Sequence, residues 1–248
     1  MTKKATLSYS TFLQNSGMTE FLIMFLTFAE HPEKENLKLN LEKALRKAAQ
    51  ASKSEINILA EFLEKSDSEA LFDVGLYEDI FGQMAYSRLV DSCLCYFKEV
   101  LSEIVRINPK ILKSRDTEPL DYILSFDNMD DLIEDLVEKK ISQLFYGGVN
   151  DIEKYFKSRL NIELFETIED KKEFNQLIKQ RNLIVHNRGI ITKEFTKEFP
   201  IYSGHEGSMI TFGFSKISMI NNYLIEFLYN LDKRLSEKFK LKLISLTD

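Results

Sequence analysis

The chain has 248 residues, enough for one large domain or two small ones around a real core. Hydrophobic residues make up 44% and charged residues 29%, the balance of a soluble globular protein, and a formal net charge of -6 argues against non-specific coating of nucleic acid. Nine glycines and four prolines are too few for a turn-rich all-β fold and favour long helices.

Met18 to Ala29 reads as a first, very apolar helix that His31-Pro32 ends. Its longest apolar run, Phe21 to Ala29, is about half of what a membrane-spanning helix needs, so it is expected in a core or a dimer interface. The N-terminus lacks the charged, apolar, small-residue order of a signal peptide, and the expected compartment is the cytoplasm. Leu37 to Leu63 is helical in pattern, and the polar run Lys65 to Glu69 marks a soft boundary. The expected organisation is an N-terminal helical region, residues 1–70, of unknown role, followed by a helical domain over residues 71–248.

Gly75 to Ile107 carries the clearest amphipathic pattern: Leu89, Val90, Cys93, Leu94, Phe97, Val100, Leu101, Ile104 and Val105 share one face, while Asp91, Lys98, Glu99 and Glu103 lie outside it. Cys93 and Cys95 fall about 200° apart at helical pitch, one in the core and one at the surface, so they share neither a disulfide nor a metal. Pro109 closes this helix. Asp127 or Asn128 can cap the next, whose stripe runs from Leu132 to Phe145 until Gly147-Gly148 breaks it. Asp151 starts another helix through Ile152, Tyr155, Phe156 and Leu160.

Lys171 to Arg188 forms a further helix, with Gly189 placed as a left-handed stop. Between Thr196 and Phe214 the helical period fades, and Pro200, Gly204, Gly207 and Gly213 suggest a loop or short β-hairpin. Lys216 to Phe239 is the last helix. Long helices with short connections predict an all-α, up-and-down bundle with that short insertion before the final helix.

On the Lys171–Arg188 helix, Phe174, Leu177, Ile178, Ile184 and Val185 make one apolar stripe, and Arg181 falls inside it, about 20° from Phe174. A guanidinium there needs a partner or a route to water, as does Arg159 in its own stripe. Asn182 and His186, four residues apart, are neighbours on the flank.

The string Arg181-Asn182-Leu183-Ile184-Val185-His186-Asn187-Arg188-Gly189 resembles the signature of the HEPN superfamily, in which an Arg, often followed by Asn, precedes a His near the end of a bundle helix. The resemblance extends more weakly over roughly residues 76–240 and does not cover residues 1–70. It implies a bundle fold, frequent homodimerisation and, in many members, RNA cleavage without metal. It assigns the catalytic Arg and His to Arg181 and His186 and the polar residue after the Arg to Asn182. Other members are inactive modules that dimerise or bind RNA or protein, and that is the alternative expectation here.

The chemistry agrees with the assignment. Cleavage by the 2′-hydroxyl leaves a 2′,3′-cyclic phosphate and needs a group to take a proton, one to return it, and a cation for the developing charge. His186 suits proton transfer near neutrality, and Arg181 suits phosphate. One His per chain is too few for both proton transfers, so the expected site is completed by a homodimer. Lys179, Asn187 and Arg188, with Lys193 nearby, are candidate RNA-binding residues. His205 and Tyr202 fall on the expected loop and are read as surface residues. The three histidines, His31, His186 and His205, have no ligand-like spacing, so neither metal nor cofactor is expected. The expected partners are RNA, a second copy of the chain and an antitoxin or regulatory protein, in a toxin, stress or phage-defence setting, with no membrane.

Overall fold

The computed structural model describes residues 3–28, 74–112 and 117–246. Over these residues the protein is all-α: eight α-helices, with one two-stranded sheet. They are β1 (Lys4–Ala5), α1 (Leu7–Phe28), α2 (Val74–Ile107), α3 (Leu120–Leu124), α4 (Met129–Gly147), α5 (Val149–Tyr155), α6 (Ile168–Asn187), α7 (Lys193–Glu198), α8 (Phe214–Phe239) and β2 (Ile244–Ser245). The expected helix over Leu37 to Leu63 and the boundary at Lys65 to Glu69 lie outside the described residues. No helix among the described residues is long and apolar enough to cross a membrane.

The long helix α2 is the axis of the core. Leu89, Phe97, Val100 and Ile104 are fully enclosed along it, and Cys93 is buried while Cys95 is exposed. Helix α1 lies antiparallel to it: Ser8 near the start of α1 binds Glu103, and Asn15, two turns on, accepts from Arg88 at 3.0 Å. Helix α1 is also antiparallel to α8, with Thr6 on Asp232 and Ser16 on Asn221 at 2.6 Å. The N-terminal segment therefore shares the core of the helices after residue 74: Ala5, Tyr9 and Phe12 are buried in it, and β1 pairs antiparallel with β2 beyond the last helix. On the other side of α2, α4 is held at its surface by Lys98–Glu138 and Arg106–Glu134 pairs.

Local rules account for most helix ends. Asn128, one of the two expected caps, accepts the backbone N–H of Asp131 at 2.9 Å at the start of α4. Gly148, at φ +85°, separates α4 from α5, so the expected break falls there, and α5 starts two residues before Asp151. The expected hairpin between Thr196 and Phe214 takes another form. Backbone pairing joins residues 189–191 to 207–210 around a single antiparallel bridge, Ile190–Met209. The enclosed stretch begins with α7, because the Thr192 side chain caps it and Phe195 and Thr196 can then be buried.

The carboxylate of Asp232 is buried at the α1–α2–α8 junction. It accepts the Thr6 N–H at 2.9 Å, the Thr6 hydroxyl at 2.5 Å and the Tyr96 hydroxyl at 3.1 Å. Burial raises its pKa above the ordinary carboxylate value, and the three donors act in the opposite direction. Replacing it by Ala leaves all three donors without an acceptor. Asp232→Ala is expected to lower stability by about 2–3 kcal/mol in chemical denaturation, and Thr6→Val by about 1 kcal/mol.

Candidate functional site

Helix α6 begins with a full capping box: the Thr167 hydroxyl accepts the Asp170 N–H at 3.0 Å, and the Asp170 carboxylate accepts the Thr167 N–H at 3.0 Å. Its buried side seats Phe174 edge-on against Phe97 of α2, with ring centroids 6.0 Å apart. Six residues on, the buried Gln180 accepts the Tyr86 hydroxyl at 2.5 Å and donates to the Tyr202 hydroxyl at 2.6 Å. Tyr86 in turn stacks on Phe212 with centroids 4.0 Å apart. Tyr202, expected as a surface residue, is half-buried and belongs to this relay, whereas His205 is exposed on its loop.

The helix ends one residue earlier than the sequence suggests. Arg188 takes the left-handed conformation at φ +54°, Gly189 follows at φ +72°, and the Gly189 N–H bonds back to the Leu183 carbonyl at 3.1 Å. Gly189 has a second reason to be glycine. A β-carbon there would stand 2.5 Å from Nε2 of Gln83, which donates to the Ile210 carbonyl at 2.7 Å and is not free to move. The glycine thus lets α2, the end of α6 and the returning strand meet without a gap.

The structure gives Arg181 a partner that the sequence did not name. Its Nε donates to Asp91 of α2 at 2.7 Å, and its Nη1 donates to Asn182 Oδ1 at 3.1 Å. The Arg181 side chain is 22% exposed and that of Asp91 39%, so the pair sits at the edge of the core, open to solvent. Nη2 makes no hydrogen bond within the described residues. The signal for Asp91 was available: a carboxylate bordering the apolar stripe of α2, and a cation inside the stripe of another helix that needed one.

His186 is exposed and has no hydrogen bond or ion pair among the described residues. Helical pitch puts it about 140° around α6 from Arg181, with Asn182 and Val185 between them. Val185 is 48% exposed despite its apolar side chain. The other candidates separate: Asn187 donates to the Ile190 carbonyl at 2.6 Å and so holds the turn, Lys179 pairs with Glu198 at 3.1 Å, and Arg188 and Lys193 are exposed. Among the described residues no three His, Cys, Asp or Glu side chains form a group that could hold a metal ion.

Comparison with protein-family models, with curated proteins and with solved structures finds no match to this chain.

Removing either partner of the Arg181–Asp91 pair leaves a half-buried charge alone. Arg181→Ala and Asp91→Ala are each expected to be destabilising, with a coupling of about 0.5–1 kcal/mol in a double-mutant cycle of thermal unfolding. Gly189→Ala is expected to cost about 2–3 kcal/mol, from positive φ and from the clash with Gln83 together.

Proposed function

We propose that the protein is a HEPN-type endoribonuclease that needs no metal and whose active site is completed by a second copy of the chain. The observation that carries this reading is the state of Arg181. Asp91 and Asn182 fix the guanidinium at the rim of the core, while Nη2, which makes no hydrogen bond among the described residues, suits a phosphate oxygen. An arginine serving only the fold would gain more by closing its fork on a carboxylate.

In this reading the roles are as follows. Arg181 binds the non-bridging oxygens of the scissile phosphodiester and meets the charge that grows on them as the 2′-oxygen attacks phosphorus. One imidazole takes the 2′-hydroxyl proton and another protonates the departing 5′-oxygen, giving a 2′,3′-cyclic phosphate and a free 5′-hydroxyl. Among the described residues His186 has no second imidazole beside it, and it lies on a different side of α6 from Arg181. A two-fold axis close to the exposed Val185 brings the second His186 and the second Arg181 to the same phosphate, and burying that valine favours the association. Asn182, between the two groups, orients the arginine. A toxin, stress-response or defence setting, with an antitoxin-like regulator, belongs to this proposal through the HEPN resemblance, as does a cytoplasmic site of action. The alternative is a HEPN-like module that dimerises or binds RNA without cutting it.

Purified protein incubated with total RNA in chelator is expected to yield fragments with 2′,3′-cyclic phosphate ends. His186→Ala and Arg181→Ala are each expected to slow cleavage about 100-fold or more while remaining folded. Specific activity is expected to fall on dilution, as dimers dissociate. Intact RNA with a correctly folded dimer supports the inactive module instead.

A further inference from the structure

An open groove of about 570 Å³ runs along the outer face of α6 and reaches Asn182. Ile168, Lys171, Asn175, Ile178 and Asn182 line it at alternating three- and four-residue steps, which makes them one continuous stripe about 21 Å long. Gly148, Val149 and Asn150 at the start of α5 and Glu198 at the end of α7 complete the lining. Buried Val149 and Ile178 supply an apolar floor.

The groove reverses the charge of the molecule. In a chain of net charge -6, it gathers Lys171, Lys172 and Lys179 around one lining carboxylate, Glu198. Lys172 and Asn150 have no partner among the described residues. Lys171 rests on Glu153 at 2.7 Å and Lys179 on Glu198 at 3.1 Å. All four side chains of these two pairs are between 29% and 46% exposed, and pairs so open to water exchange readily for a phosphate. The groove also carries three amide side chains: Asn150, Asn175, which donates to Glu198 at 3.2 Å, and Asn182, whose oxygen accepts from Arg181 and whose NH2 makes no hydrogen bond among the described residues. Amides offer a donor and an acceptor together, the pattern that base edges present.

We propose that this groove is the track along which single-stranded RNA runs to the Arg181–His186 site, with its lysines on successive phosphates and its amides on exposed base edges. The inference rests on reading that site as a ribonuclease. A duplex hides the edges that the amides would meet, so unpaired strands are the substrate class. A strand entering the groove takes Lys179 from Glu198, so that glutamate opposes binding.

The test uses the full chain with His186→Ala, so that RNA is bound without being cut, and labelled single-stranded RNA of about eight nucleotides in fluorescence anisotropy across a salt series. Adding Lys172→Ala is expected to weaken binding roughly fivefold and to lower the slope of log affinity against log salt by about 0.7. Adding Glu198→Gln is expected to tighten binding roughly threefold, a direction that loss of structure does not produce. The same sequence as a duplex is expected to bind more weakly. Unchanged affinity and salt slope in both variants, or no binding at all, overturns the groove. The unmutated chain is assayed for cleavage alongside. Cleavage together with groove-independent binding removes the track and leaves the ribonuclease. Groove-dependent binding without cleavage removes the ribonuclease and leaves an RNA-binding surface.

Discussion

The seam where α6 closes on α2 sets the position of everything at this end of the molecule. It is tight at both ends. Phe97 and Phe174 interlock at one, and at the other Gln83 occupies the space where Gly189 would carry a side chain. Gly82 repeats the constraint on α2, since a β-carbon there would stand 2.4 Å from the Phe212 carbonyl oxygen. With no slack along the seam, Arg181 can only arrive beside Asp91, and a small shift of α6 would break both the ion pair and the Tyr86–Gln180–Tyr202 relay.

In the proposed ribonuclease that rigidity would have chemical value. A cation held by one carboxylate and one amide would already be oriented before a phosphate arrives, so little ordering would be left for the binding step. The imidazole is placed differently. His186 sits in the last turn of α6, exposed and without a fixed partner among the described residues, where a neighbouring molecule can reach it. The contrast between a braced arginine and an open histidine is the asymmetry expected if the second half of the site comes from outside the chain.

The N-terminal segment is built into the same body by polar links as well as by packing. Thr6 and Tyr96 converge on buried Asp232, and Ser16, Asn221, Glu20 and Ser218 form a second set of links further along the α1–α8 interface. Buried polar groups of this kind fix register, because sliding α1 by one turn would orphan each of them. This is why α1 has a single seat between α2 and α8.

The sequence by itself determined the all-α class, the long core helix near Val74–Ile107, the Asn128 cap, the break at Gly148, the burial of Cys93 rather than Cys95, and the segment carrying Arg181, Asn182 and His186. These depend on helical period, capping chemistry and breaker residues, all of which are local in the chain. Only the tertiary structure decided that Arg181 meets Asp91, that Ala5, Tyr9 and Phe12 join the main core, that Tyr202 serves a buried relay, and that pairing near the motif runs between 189–191 and 207–210. Each of these joins residues far apart in the chain, from 16 positions in the shortest case to more than 200 in the longest, and no local pattern encodes which of many surface carboxylates or hydroxyls will be the one within reach once the helices pack.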